Sequence, residues 1–187
     1  MKTRPVTFLL TAMLLVAAAA ATAAGCDSGS SQVPEGVYCD PVASWPSERQ
    51  AWESRMLDLF NQARAVGATC GANGYQGPTG PLTMDPALRC ASRVHSMDMH
   101  DRGFFDHTNP DGLGPRERFE LAGWSGGGWG ENIIAGYGSA EAAFDGWMLS
   151  DGHCSNIMNP DFNQVGIGWF NGSSGFGDYG TAGFGSN

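Results

Sequence analysis

The chain has 187 residues, 42% of them hydrophobic, and a formal net charge of −9, enough for one domain with a real core. Such an acidic balance argues against nucleic-acid binding and against electrostatic attachment to anionic lipid. Past residue 4 the cations are eight arginines and no lysine, which excludes Schiff-base chemistry and a Ser-Lys dyad there.

Lys2 and Arg4 make a positive start, residues 6–21 form an apolar run, and Ala23-Ala24-Gly25-Cys26 follows. This is the make-up of a secretory signal, too short and Ala-rich for a membrane span. The ending resembles a bacterial lipobox. It predicts residues 1–25 as a lipoprotein-type signal peptide and Cys26 as a lipid-modified N-terminus, holding an exported protein to the membrane at the cell envelope or surface. About 160 residues would remain, and losing Lys2 and Arg4 takes the net charge from −9 to −11. With Cys26 given to lipid, Cys39, Cys70, Cys90 and Cys154 remain, an even set that reads as two disulfides with three pairings open. No CxxC spacing suggests a zinc ribbon.

Residues 26–45, rich in Ser, Gly and Pro, read as a tether, and 46–187 as the folded domain. Pro46-Ser47 opens a helix; Ser47 and Gln50 have capping-box spacing, and Trp52, Met56, Leu59, Phe60 and Ala63 recur at helical intervals. A Gly/Pro-rich loop follows, and Leu82-Thr83-Met84 reads as a short link. Asp85-Pro86 begins a second helix with Asp as cap and Pro at its first position; Gly103 stops it. His95 lies on its apolar stripe and reads as a buried core histidine, while His100 points about 140° away, so the two cannot chelate one ion. Asn109-Pro110-Asp111-Gly112 is a turn, and Pro115–Leu121 suits a short third helix.

Gly126-Gly127-Gly128 lacks the flanking strand and Gly-Lys-Ser/Thr of a phosphate cradle. After Trp129–Ile134, Ser139 caps a helix that runs through Trp147. Ser150 is expected to cap the next, which carries His153 in its first turn and ends at Asn159-Pro160. Val165, Ile167 and Trp169 alternate as a strand, Asn171-Gly172 turns, and Tyr179–Phe184 returns. Helices first and a hairpin last predict an α+β fold: a small antiparallel sheet covered by helices.

Three blocks carry a resemblance: Phe104-Phe105-Asp106-His107-Thr108, Gly130-Glu131-Asn132-Ile133, and Trp147 through Ser150-Asp151-Gly152-His153 to Asn156-Ile157. In this order they resemble the signature of the CAP superfamily, also called SCP, which includes cysteine-rich secretory proteins and antigen 5. The likeness is to its bacterial branch and runs from about Trp52 to Phe184. It implies an α-β-α sandwich with an open cleft. His107, Glu131 and His153 match three of the family's cleft tetrad of two His and two acidic residues; Ser150 stands where the second acid would be. The resemblance thus implies a His-His-carboxylate site for Zn²⁺ or another divalent cation, held weakly because only three protein donors remain. It also implies that the Cys70 loop and the Cys154 helix flank the cleft and pair, leaving Cys39 for Cys90.

Separations of 24 and 22 residues exclude a local HExxH motif, so the trio converges only through the fold. Two imidazoles could equally well do no more than hydrogen-bond Glu131 and brace the cleft. Ser150 as a nucleophile would need an orienting group and an oxyanion hole, and Cys154 points about 100° from His153 along a helix. Three functions remain: a surface-anchored module binding a cation, a small apolar or lipid ligand or a protein partner without turnover; a metal-assisted, peptidase-like hydrolase using the same cleft; and a structural envelope protein.

Overall fold

The computed structural model describes Met1 and residues 32–187. Apart from Met1, the expected signal peptide lies outside the described residues, as does Cys26. Among these, no helix is long and apolar enough to cross a membrane.

The helices and strands follow in chain order: α1 (Ser47–Val66), β1 (Ala68–Thr69), β2 (Tyr75–Gln76), β3 (Thr83–Met84), α2 (Pro86–Arg102), α3 (Pro115–Leu121), β4 (Trp129–Ala135), α4 (Ala140–Met148), α5 (Asp151–Met158), β5 (Gln164–Asn171) and β6 (Asp178–Gly185). The main sheet has the order β3-β5-β6-β4. The β5–β6 and β4–β6 pairs are antiparallel, but β3 joins β5 in parallel. The link expected at Leu82–Met84 is therefore an edge strand.

Strand β5 explains the layering. Val165, Ile167 and Trp169 point to one face, where they pack with Met56 and Phe60 of α1, Trp147 of α4 and Ile157 of α5. The alternate positions are Gly166 and Gly168, where a Cβ would overlap the backbone of α2 at Leu88 and Arg93. With no side chain in the way, α2 lies directly on the sheet. Ser92 Oγ and Ser96 Oγ donate to the carbonyls of Gly166 and Gly168 at 2.9 and 3.0 Å. Helices thus cover both faces, the α-β-α sandwich expected.

The caps divide by chemistry. Asp85 Oδ1 accepts from the N–H groups of Ala87 and Leu88 at 2.9 Å, and Ser139 Oγ from Ala142 at 3.1 Å. Gly103 closes α2 at φ 69°, in the left-handed region. Two other expected caps are absent. Pro46, not Ser47, occupies the cap position of α1, where the Gln50 amide instead donates to the Trp45 carbonyl. Ser150 sits at the cap of α5, but its hydroxyl makes no capping bond.

The stretch read as a tether is partly core. Val33, Cys39, Val42 and Trp45 are buried with Leu88, Cys90 and Phe119. A disulfide from Cys39 to Cys90 holds it against α2, and a second joins Cys70 to Cys154. Low hydrophobic density hid a segment anchored by one aromatic and one covalent bond. Closing loops of 51 and 84 residues, each bridge contributes on the order of 3–5 kcal/mol in the chain-entropy account.

Edge strand β4 carries the site. Two of its outward carbonyls are occupied: Trp147 Nε1 donates to that of Ile133 at 3.1 Å and Asn156 Nδ2 to that of Glu131 at 3.4 Å. Side chains of α4 and α5 thereby block further strand addition.

Candidate functional site: a His–Glu–Arg cluster beside an apolar groove

Glu131 lies on β4 with its side chain 2% exposed, so its charge needs partners in the fold. Arg118 of α3, itself 1% exposed, donates through Nη2 to Glu131 Oε2 at 2.5 Å. The Arg118 Nη1 reaches the carbonyls of His107 and Leu113 at 2.6 and 2.8 Å, fixing the loop after α2. Within that loop, His107 Nδ1–H donates to Glu131 Oε1 at 2.8 Å. A carboxylate can only accept, which sets the tautomer and leaves Nε2 facing away from Glu131. The His107 side chain is 47% exposed, so this bond runs from the buried charge to the cleft surface. The Glu131 hydrogen bond, acting against partial burial, holds the His107 pKa above its ordinary value.

His153 enters from the first turn of α5. Asn132, next to Glu131 on β4, donates through Nδ2 to the His153 carbonyl at 3.0 Å, and Asn156 Nδ2 reaches Asn132 Oδ1 at 2.8 Å. These bonds tie the helix to the edge strand. Burial lowers the His153 pKa, and the neighbouring His107 lowers it further. Its imidazole is neutral at physiological pH. Among the described residues it makes no side-chain hydrogen bond.

The structure therefore brings His107 and Glu131 into contact and sets His153 near them, unbonded. Both Glu131 oxygens are committed, and among the described residues no group of three or more His, Cys, Asp or Glu is arranged to hold a metal ion. The donor set fits at most an ion held by the two imidazoles and completed by water. His95 stays apart as a core residue: fully buried, with Nε2–H on the Asp106 carbonyl at 3.0 Å and a pKa pushed down by burial to about 4.

His153 also belongs to a second feature. A groove of about 340 Å³ runs along Ile133, Ile134 and Ala135, with Phe105, Tyr137 and Phe176 as walls and Ser150 and His153 as its polar points. Phe105 and Phe176 meet edge-on with centroids 6.2 Å apart, yet are 45% and 64% exposed. Large aromatics left that open mark a surface built for contact. Ser150, which does not cap α5, faces this groove instead.

Two parts of the site were missed in the sequence. Arg118 is one, although a buried Glu in a chain without lysine beyond residue 2 must recruit an arginine. The other is the aromatic wall, signalled by two phenylalanines in Gly-rich turns.

The fold has counterparts among known proteins. The sequence profile of the Cysteine-rich secretory protein family matches residues 57–184. Bacillus subtilis YkwD is 34% identical over 128 residues, 68% of this chain and 46% of YkwD. The B. subtilis membrane protein YlbC is 27% identical over 124 residues, 66% of this chain and 33% of its own length. The chain thus spans less than half of either curated relative. Among solved structures, an extracellular SCP-domain protein of Bacillus anthracis superposes with a TM-score of 0.62 at 24% identity, covering 77% of this chain and 44% of that one. An outer surface protein of Borrelia burgdorferi gives 0.59 at 15% identity, covering 77% and 96%. At such identities the superpositions speak for the fold alone. The profile match takes in α2, the His107 loop, β4, α5 and the β5–β6 hairpin together, and on that ground the chain belongs to the cysteine-rich secretory protein, or CAP, family.

Proposed function

We propose that this CAP domain is an exported, envelope-anchored binding module whose groove takes one uncharged, single-chain apolar ligand, such as a fatty alcohol or ester. The observation that carries this is the open aromatic groove ending on His153. Its volume lies at the small end of the ~300–1,000 Å³ usual for ligand sites. A neutral imidazole can bond a hydroxyl or ester oxygen without demanding a counter-charge, and a chain of net charge −9 disfavours an anionic head group. Calorimetry with decanol and decanoate tests this. Decanol should bind and decanoate should bind at least tenfold more weakly, and Phe176→Ser should weaken decanol. Equal binding of both ligands, or of neither, overturns the reading.

A second reading keeps the cation. His107 Nε2 and the neutral His153 support weak Zn²⁺ binding, at micromolar affinity or poorer, roughly −8 kcal/mol or less favourable. Because Glu131 raises the His107 pKa, protons compete with zinc already above pH 6.5. Zinc titration of wild type, His107→Ala and Glu131→Gln decides: no heat at millimolar zinc leaves the bracing role, and equal affinity in all three places the ion elsewhere. Metal-assisted hydrolysis of peptides at this cleft would need turnover that appears with zinc and disappears in His153→Ala. Anchoring rests on Cys26, and intact mass of the membrane fraction should show a diacylglyceryl adduct there; an unmodified soluble protein contradicts it.

A further inference from the structure

Away from the His107–Glu131 cluster, the end of α2 meets the β5–β6 hairpin, and three polar side chains line up there. Asp101 Oδ1 lies 2.8 Å from His100 Nδ1, and His100 Nε2 lies 3.0 Å from Ser174 Oγ. We propose that Ser174, His100 and Asp101 form an acyl-transfer site that hydrolyses carboxylic esters. The carboxylate accepts from Nδ1–H, leaving Nε2 unprotonated and able to accept the serine proton.

The ring is held firmly. It packs against Phe170 at a centroid distance of 4.7 Å and edge-on against Tyr179 at 6.0 Å. A Cβ at Gly172 would overlap Nε2, so glycine is what lets the hairpin backbone sit against the imidazole. The His100 side chain is only 14% exposed, whereas Ser174 lies at the exposed hairpin tip. Gly175 adopts φ 60°, and among the described residues the N–H groups of Ser174 and Gly175 have no acceptor. These are the nucleophile's own amide and the next one, the donors that an oxyanion requires. Phe176, two residues on, forms the wall of the apolar groove.

In the reaction, Ser174 Oγ bonds to the ester carbonyl carbon while its proton passes to His100 Nε2 and the carbonyl electron pair moves onto oxygen. That oxyanion collapses, the C–O bond to the alcohol breaks, and His100 protonates the departing alkoxide. Water then attacks the acyl-serine, giving its proton to Nε2. Collapse releases the acid and returns the proton to Ser174 Oγ. Asp101 touches no substrate; it positions the imidazole and offsets the charge that develops on it. Preference for a long acyl chain rests on the groove reading above, whereas the nucleophile does not.

The test uses the full-length protein, a fluorophosphonate probe and p-nitrophenyl esters from acetate to decanoate. One adduct should map by mass to the Ser174 peptide. Ser174→Ala should abolish it at an unchanged melting temperature, while Ser173→Ala keeps it. His100→Gln should slow esterolysis by about 10²-fold or more. Asp101→Asn should lower kcat with KM unchanged, a split that a purely structural role would not give. No adduct on wild-type Ser174, or undiminished turnover in Ser174→Ala, overturns the proposal. Adduct formation without chain-length preference retains the nucleophile and removes the groove from the substrate class.

Discussion

Among the described residues, Glu53 and Glu131 are both buried carboxylates held by arginine, and only Glu131 has a second side-chain partner that is open to solvent. Glu53 of α1 is fully buried; Arg93 grips it at 2.6–3.2 Å, Arg89 lies 3.6 Å away, and the Trp169 N–H donates at 3.3 Å. Each of these partners is itself buried or nearly so, and none is an imidazole. Glu131 has the same depth and one arginine, but its other oxygen goes to the half-exposed imidazole of His107. Burial therefore does not distinguish a structural acid from one at a cleft; the second partner does. In the first case the charge is closed within the fold between α1 and α2, and in the second it is passed to a titratable group at the surface.

Removing the arginines should separate the two carboxylates most strongly. Arg93→Met leaves Glu53 with the more distant Arg89 and should cost about 3–5 kcal/mol in denaturant unfolding. Arg118→Met should cost about 3 kcal/mol at pH 6, since protonated His107 still faces Glu131. Its cost should grow as pH rises through the raised His107 pKa, because the remaining counter-charge is then lost. A pH-independent penalty at Arg118 would mean that the two clusters are equivalent.

His95 supplies an effect of nearly the same size from a residue outside both clusters. Its folded pKa of about 4 lies below the ordinary 6.5, so between these values the unfolded chain binds the extra proton. Stability is complete above pH 6.5 and falls by about 3 kcal/mol as pH drops to 4. In His95→Gln this part of the acid limb should vanish. The smallest effect belongs to His107→Ala: its bond is half-exposed and screened, so the loss should stay below about 1 kcal/mol. A larger loss would make His107 a structural partner on a par with Arg118.

The fold was legible where one residue's neighbours are in its own element. Val165, Ile167 and Trp169 announced a strand, and Gly166 and Gly168 between them record how close α2 lies. Asp85-Pro86 and Ser139 read as caps and are caps. What failed depended on partners far along the chain. The two residues of β3 carry no period, and their parallel partner β5 lies some 80 positions away. Ser150 has the right residue type for a cap, but its hydroxyl makes no capping bond and the residue lines the groove. Arg118 is one of eight arginines past residue 4, and nothing local marks it as the one beside Glu131. The sequence blocks named the cleft residues through family resemblance; the arginine, the aromatic wall and the contact of Ser174 with His100 came from packing.

We propose that the groove beside His153 holds an uncharged apolar chain. Titrating the protein with normal alcohols of increasing length tests it most directly. Each added methylene buried along Ile133, Ile134 and the Phe105–Phe176 wall should tighten binding by about 0.8 kcal/mol, or about fourfold, until the groove is full. The slope should flatten in Phe105→Ser. Affinity that does not change with chain length, or a slope that survives in Phe105→Ser, would contradict the account.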